Sequence, residues 1–357
     1  MTRAGTLGAA LALGAALAAC KSPQTPADVA AAEAIERDGR DEEALAAWRR
    51  IGDGCARPDA RPKDDCGLAV VRQAQLLERL GRDREAAETW ASLPERASNP
   101  LNAARGLATA ARLYAGPLAD PDRASGLAWR CVERYPNEAP CDEAVETLVK
   151  VERGRDPRAL RDRLDAAAAR VATTDLVDNL EFAAARLTEE DLHDPKGAVA
   201  RYDALAARYR RSGLWDDSLW RAAAILRREG DPRGAAERLG QILATFKKAW
   251  FTGSYNSLYL DDARLLLGRI LLDDLHDPAG AIAPLMELAD DGYSKSILRD
   301  DALIEVARAR LAVHTPPTDE DRALACAALG RILTRFPDGN RVLEARRRRQ
   351  ELGCPAP

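Results

Sequence analysis

The sequence predicts an all-α protein, built as a right-handed α-solenoid of about seven to eight helical hairpins. Three observations indicate this fold. Ala and Leu, which favour helix, supply most of the apolar mass, whereas only 5% of the residues are aromatic. We find no alternating run rich in Val, Ile and Thr that would mark a strand. A turn followed by a helix also recurs along the chain, in units of about 36–46 residues.

Each repeat has one small residue early in its second helix. Large apolar residues usually follow four and seven positions later, and in four repeats an aromatic residue follows at position eleven. Spacings of 4, 3 and 4 lie on one face of an α-helix, so we expect this face to be buried. The small residues are Ala44, Ala86, Ala124, Ala198, Ala235, Ala281 and Ala325. The aromatic residues are Tyr135, Tyr209, Phe246 and Phe336.

Acidic residues mark the predicted helix starts. An Asp can cap the free backbone N–H groups, and Pro suits the first helical position. Gly39-Arg40-Asp41 and Gly81-Arg82-Asp83 are expected to act similarly in the first two repeats. Pairs of acidic residues are expected to cap the helix that opens each later repeat. The Asp-Pro starts are Asp120-Pro121, Asp156-Pro157, Asp194-Pro195, Asp231-Pro232 and Asp277-Pro278, and the acidic pairs are Asp216-Asp217, Asp261-Asp262 and Asp300-Asp301.

This pattern resembles the tetratricopeptide repeat (TPR), with its small residue early in the second helix and its aromatic-Pro ending. It is similar to extracytoplasmic TPR lipoproteins, including those of outer-membrane assembly. Because the matched residues are structural, the resemblance is specific for the fold and implies stacked hairpins. It also implies the protein-binding role of this family. Two departures stand out: Leu160 replaces the expected small residue, and Pro284 lies inside a predicted helix, which we expect it to kink.

The first twenty residues predict export and a lipid anchor. Arg3 precedes an uncharged run, and Leu17-Ala18-Ala19-Cys20 resembles the lipobox of bacterial lipoproteins. We therefore expect a signal peptide over 1–19, a lipidated Cys20 with a short tether over 20–25, a solenoid over 26–353 and a tail over 354–357. Lys21 favours the outer membrane, facing the periplasm. An ordinary secretory signal with a chance Cys is the alternative.

Six further cysteines suggest disulfides in an exported chain. Fifteen connectivities are possible, and pairing between neighbours is the simplest. The alternative is that they are buried free thiols, above all Cys131, which falls on a predicted core position. The neighbour pairs are Cys55–Cys66, Cys131–Cys141 and Cys326–Cys354.

We find no catalytic, phosphate-binding or metal-binding motif, so we expect no enzyme activity, no cofactor and no metal. The net charge of −4 gives no argument for nucleic acid. His193 and His276 both stand in Asp-Leu-His-Asp-Pro, so we expect them to serve the turn. We expect Arg346–Arg349 to complement a helix end, with anionic lipid headgroups as the alternative. The excess of Arg over Lys is interpreted as genomic bias.

The best candidate site is an aromatic insertion between two repeats. Aromatic residues are common anchors of protein interfaces. The alternative is that they fill the gap between the two repeats, and we expect Trp215 and Trp220 nearby to be core or packing residues. The candidate partner-binding residues are Trp250, Phe251, Tyr255 and Tyr259.

The expected function is a membrane-anchored periplasmic scaffold that binds a protein or peptide partner in the envelope. A cell-wall-acting enzyme subunit and a small-ligand carrier, each built on a helical superhelix, are the alternatives. The partner and the oligomeric state are not specified by the sequence.

Overall fold

The computed structural model describes residues 26–55, 63–171, 175–245, 257–291 and 296–356. These residues form eighteen α-helices and no β-strand, so the all-α prediction is confirmed. The helices are α1 (Pro26–Arg37), α2 (Asp41–Cys55), α3 (Lys63–Arg79), α4 (Asp83–Ala91), α5 (Leu93–Arg96), α6 (Pro100–Ala115), α7 (Pro121–Arg134), α8 (Pro140–Glu152), α9 (Pro157–Arg170), α10 (Val177–Glu190), α11 (Pro195–Arg208), α12 (Trp215–Arg228), α13 (Pro232–Leu243), α14 (Leu260–Arg269), α15 (Pro278–Asp290), α16 (Arg299–Ala312), α17 (Asp319–Arg335) and α18 (Val342–Glu351).

The helices follow one another as a TPR-like α-solenoid. Over the described ranges seven pairs of consecutive helices pack as hairpins, and α8 and α9 hold the corresponding places of a further pair in the chain order. The seven hairpins are α1/α2, α3/α4, α6/α7, α10/α11, α12/α13, α14/α15 and α16/α17, and α18 ends the series. We call the first helix of each hairpin helix A (α1, α3, α6, α8, α10, α12, α14 and α16) and the second helix B (α2, α4, α7, α9, α11, α13, α15 and α17). The chain divides into two compact units, Met1–Thr147 and Leu148–Pro357, called unit 1 and unit 2 below.

The repeated small residues lie in the core, as predicted. All seven are fully buried. The residue four positions later is buried as well in all seven repeats, and in six of them it is large. Where it carries a polar atom, that atom reaches a carboxylate of helix A: Nε1 of Trp48 donates to Glu36 at 3.2 Å, and Nε1 of Trp90 donates to Glu78 at 2.7 Å.

The Asp-Pro helix starts are confirmed. In each, the Asp Oδ1 accepts a hydrogen bond from the backbone N–H of the third helical residue, and Pro occupies the first helical position. The residue just before the Asp has a positive φ in four of them. The caps are Asp120, Asp156, Asp194, Asp231 and Asp277, at N–H···O distances of 2.8–3.1 Å.

Two predicted types of cap are wrong. Helix α4 has Arg82 at its N-cap position, without a side-chain capping bond, and the guanidinium binds Glu85 instead. The acidic pairs that open helices A lie inside the first turn, where carboxylates complement the helix dipole. The N-cap residues there are Leu214, Tyr259 and Leu298, none with a side-chain cap.

The repeat is irregular around Pro284. Helix α15 continues through this proline, and the five residues that follow α14, Ile270–Asp274, form a π-helical turn. A π-turn accommodates an extra residue within a helix. Leu160, the other departure from the pattern, is buried and takes the place of the small residue.

Candidate functional site

Of the four aromatic candidates, Tyr259 alone lies within the described residues; Trp250, Phe251 and Tyr255 lie outside them. Tyr259 stands just before α14 and stacks on Trp220 of α12, with ring centroids 5.0 Å apart and planes 14° apart. Both rings are partly exposed. Tyr259 therefore belongs to the packing between two consecutive helices A, which agrees with the gap-filling alternative for this residue.

The same junction contains two short hydrogen bonds to carboxylates. The hydroxyl of Tyr259 donates to Oδ1 of Asp217, and the hydroxyl of Ser257 donates to Oδ2 of Asp216, both at 2.6 Å. The acidic pair of α12 thus binds the residues that open α14. Partial burial and the bond to Asp217 raise the pKa of Tyr259 to about 12, so the phenol remains a donor at neutral pH.

Two aliphatic residues project beside these junctions. Leu258 is 94% exposed and Ile297 is 81% exposed. Both follow a Ser and precede an Asp-Asp pair by the same number of residues, so they occupy the same position before α14 and before α16. Sequence reasoning missed them, although the recurring Ser four residues before Asp-Asp is a visible signal.

Sequence reasoning also missed a series of ion pairs between consecutive helices B. Arg201 on α11 donates to both oxygens of Asp165 on α9, each at 2.8 Å. Arg238 on α13 donates in the same way to Asp203 on α11, at 3.1 and 2.6 Å. Two-pronged Arg–carboxylate bonds fix geometry as well as charge. Some of the chain's many arginines therefore connect one hairpin to the next.

Consecutive helices A are connected by a network around the end of α10. Glu190 pairs with Arg153, Arg186 and Arg221, whereas Glu189 accepts from Arg221 and from the hydroxyl of Tyr202. Partial burial alone would raise the pKa of Glu190, but its three arginines hold that pKa below the usual value. These carboxylates are occupied by structural partners, which argues against a role in acid–base chemistry.

Two neighbour cysteine pairs are disulfides within the described part of the chain, Cys131–Cys141 and Cys326–Cys354. Cys66 is also disulfide-bonded, but the side chain of Cys55 lies outside the described residues, so that pairing stays a prediction. Cys20 lies outside them as well.

The histidines occupy turns and caps. His193 and His276 are exposed and take the positive-φ position before a capping Asp. Nδ1 of His314 lies 2.8 Å from Asp321, which forms a capping box with Thr318 at the start of α17. Among the described residues, no three His, Cys, Asp or Glu side chains are grouped so that they could hold a metal ion. In those same residues, no helix has both the length and the apolarity to cross a bilayer.

No protein-family model and no curated protein matches the chain. Similar solved structures include a tetratricopeptide repeat protein from Parabacteroides merdae (12% identity, 78% of this chain and 97% of that one, TM-score 0.36). Another is the TPR domain of P58(IPK), with 13% identity, a match over 91% of this chain and 97% of that one, and a TM-score of 0.28. A third is residues 1–338 of Acl4, an assembly chaperone of RpL4, with 16% identity, a match over 79% of this chain and 94% of that one, and a TM-score of 0.30. All three TM-scores are below 0.5.

Proposed function

We propose that the chain is a non-catalytic scaffold of the bacterial cell envelope that binds a protein or peptide partner through its helical hairpins. In this proposal, a lipid on Cys20 holds the protein on the outer membrane, facing the periplasm, and the partner takes part in envelope or outer-membrane assembly. Residues 1–19 are removed as a signal peptide. The lipobox-like Leu17-Ala18-Ala19-Cys20 and Lys21 support the anchor and its location.

The observation that carries the binding role is the exposure of Leu258 and Ile297 at matching positions of consecutive repeats. Leu and Ile are among the residue types most often buried in folded proteins. Two such side chains that project from matching positions of consecutive repeats offer a partner two apolar anchors at the repeat spacing. Two carboxylates beside Leu258, those of Asp216 and Asp217, accept hydrogen bonds from Ser257 and Tyr259, which supports a binding role over a catalytic one.

A photo-crosslinking amino acid placed at Leu258 or Ile297 tests the partner. We expect irradiation of intact envelopes to capture the same protein from both positions. The matched control is position 233, an exposed Arg on α13, the helix B that precedes Leu258, from which we expect no capture. Capture of no protein from either aliphatic position, or muramidase activity of the purified protein, would contradict the proposal.

The anchor is tested separately with Cys20→Ala. We expect the wild-type chain to take up labelled fatty acid and to fractionate with the outer membrane, and the variant to lose the label and remain an uncleaved precursor. A wild-type chain recovered in the cytosol with Met1 intact would refute the anchor without affecting the partner experiment.

A further inference from the structure

Helices α3 and α6, neighbouring helices A of unit 1, carry the same three residues at the same spacing. In α3 they are Leu68, Arg72 and Arg79, and in α6 they are Leu101, Arg105 and Arg112. Positions separated by 4 and 11 residues lie on one side of an α-helix. Each triplet therefore forms a stripe along its helix, and none of the six residues is buried. We call these six residues the Leu–Arg face.

The last arginine of each triplet is a structural residue. Arg79 pairs with Glu36 at 3.0 Å, and Arg112 pairs with Glu78 at 3.1 Å. Each glutamate belongs to the preceding helix A and also accepts a hydrogen bond from a buried Trp. Because Arg79 and Arg112 make the same contact one repeat apart, they confirm that the two triplets are in the same register.

The middle arginines have unused binding capacity. The ion pair of Arg72 with Glu36 is long, at 3.9 Å, and its solvent-shielded Nε has no hydrogen-bond partner. Arg105 is exposed and forms no ion pair with any residue in the described ranges. Each guanidinium lies one helical turn from a leucine, Leu68 or Leu101, that is more than one-third exposed.

The surroundings of Arg72 are concave. A cleft of about 620 Å³ is lined by Arg72 and Arg79, together with Arg37, Glu33, Glu36, Gly39 and Asp41. Arg79 binds both Glu36 and Asp41, so two of the three carboxylates in this cleft are already neutralised. Neighbouring helices pack about 8–10 Å apart, a distance that three residues of extended chain span.

We propose that the Leu–Arg face docks an acidic, partly apolar segment of the partner protein. Carboxylates of the segment bind Arg72 and Arg105, and its apolar side chains pack on Leu68 and Leu101. This inference deepens the proposed scaffold function and rests on it. A peptide is favoured over nucleic acid or an anionic membrane because Arg79 and Arg112 are already paired with Glu36 and Glu78. The face therefore offers two separate guanidinium groups and no continuous cationic array for a series of phosphates.

Selection from a random twelve-residue peptide library tests the docking. The full chain in detergent is the bait, and peptides that also bind the double variant Arg72→Ala/Arg105→Ala are removed. We expect the retained peptides to be enriched in Asp or Glu together with Leu, Ile or Phe. We expect Arg72→Ala/Arg105→Ala to weaken the best of them at least tenfold in fluorescence anisotropy, and Leu68→Ser/Leu101→Ser to weaken it as well.

The matched control is Arg84→Ala, which removes an exposed Arg from helix B of the same unit; we expect unchanged affinity. Circular dichroism verifies that each variant is folded. Retained peptides without acidic enrichment, no retained peptide at all, or equal competition by an RNA oligomer or phosphatidylglycerol vesicles would overturn the docking. The crosslinking experiment at Leu258 and Ile297 is independent of this face, so a failure here leaves its outcome intact.

Discussion

The phenol of Tyr259 donates a 2.6 Å hydrogen bond to Asp217, from the start of one helix A to the first turn of the preceding one. The ring stacks on Trp220 in the same contact. A residue that the sequence indicates as a partner anchor is therefore part of the junction between two hairpins. Among the described residues that precede α14, 257–259, Leu258 is the exposed one and is available to another molecule.

Removing this hydrogen bond is expected to weaken unit 2. Tyr259→Phe retains the stacked ring but leaves Asp217 without its donor, so we expect a loss of about 1–2 kcal/mol in the free energy of unfolding. The pKa of Tyr259 is raised, so the bond contributes fully below pH 10 and is lost as the pH rises through about 12. Urea denaturation at pH 7 and pH 12 checks this; an equal difference between wild type and variant at both pH values would contradict it.

Two glycines inside helices are expected to respond to alanine in opposite ways. A Cβ at Gly268 would overlap the side chain of Leu285, whereas a Cβ at Gly240 meets nothing within 4 Å. Gly268→Ala should therefore destabilise the protein by about 1–3 kcal/mol. Gly240→Ala should stabilise it by about 0.5–1 kcal/mol, because alanine loses less entropy in a helix. The midpoint of thermal unfolding, measured for both variants, checks these two predictions. Stabilisation by Gly268→Ala would contradict the first and would show that the two helices separate easily.

The histidines of the two Asp-Leu-His-Asp-Pro turns are expected to be replaceable by glycine. His193 and His276 have φ values of 50° and 54°, in the left-handed region that glycine occupies at the matching Gly81 and Gly230. His193→Gly should stabilise the protein by up to about 1 kcal/mol, whereas Gly81→Ala should destabilise it by about 1 kcal/mol. Chemical denaturation measures both. A large loss of stability in His193→Gly would indicate that the imidazole has a role beyond the turn.

The disulfide Cys131–Cys141 closes a loop of ten residues between α7 and α8. Such a loop constrains the unfolded chain, so Cys131→Ala/Cys141→Ala should lower the free energy of unfolding by about 2–3 kcal/mol. Hydrogen exchange of α7 amides reports the change in unit 1. Exchange in unit 2 is the internal control, and an equal acceleration there would argue against a local effect.

Because of the capping box at the start of α17, we expect the stability of the folded protein to depend on pH in the acidic range. The Thr318 hydroxyl and backbone N–H, with His314, lower the pKa of Asp321 to about 2. Because the folded pKa is below the ordinary value near 4, the bonds stabilise the protein above pH 4 and are lost as the pH falls through 2. Asp321→Asn should remove this component between pH 4 and pH 2. Urea midpoints across that range check it, and identical slopes for wild type and variant would contradict it.

The local pattern of the chain was readable from the sequence. The buried small residues, the large residues four positions later and the Asp-Pro caps depend on periodicity within one helix and on backbone donors a few residues away. The errors are also local in kind: Arg82 takes the N-cap position predicted for Asp83, and Asp216 and Asp217 lie in the first turn. An acidic residue near a helix start fits either the N-cap position or the first turn. Which position it takes depends on its partners in the neighbouring hairpin, such as the hydroxyl donors of Ser257 and Tyr259.

The sequence by itself determined the hairpins, since each is specified by residues within one repeat. The tertiary structure decided which side chains meet across repeats: Arg201 with Asp165, Tyr259 with Asp217, and Arg79 with Glu36. It also decided that Leu258 and Ile297 are exposed and that Arg72 lacks a full set of partners. Exposure and pairing depend on groups about one repeat away along the chain, and helical periodicity carries no information at that separation.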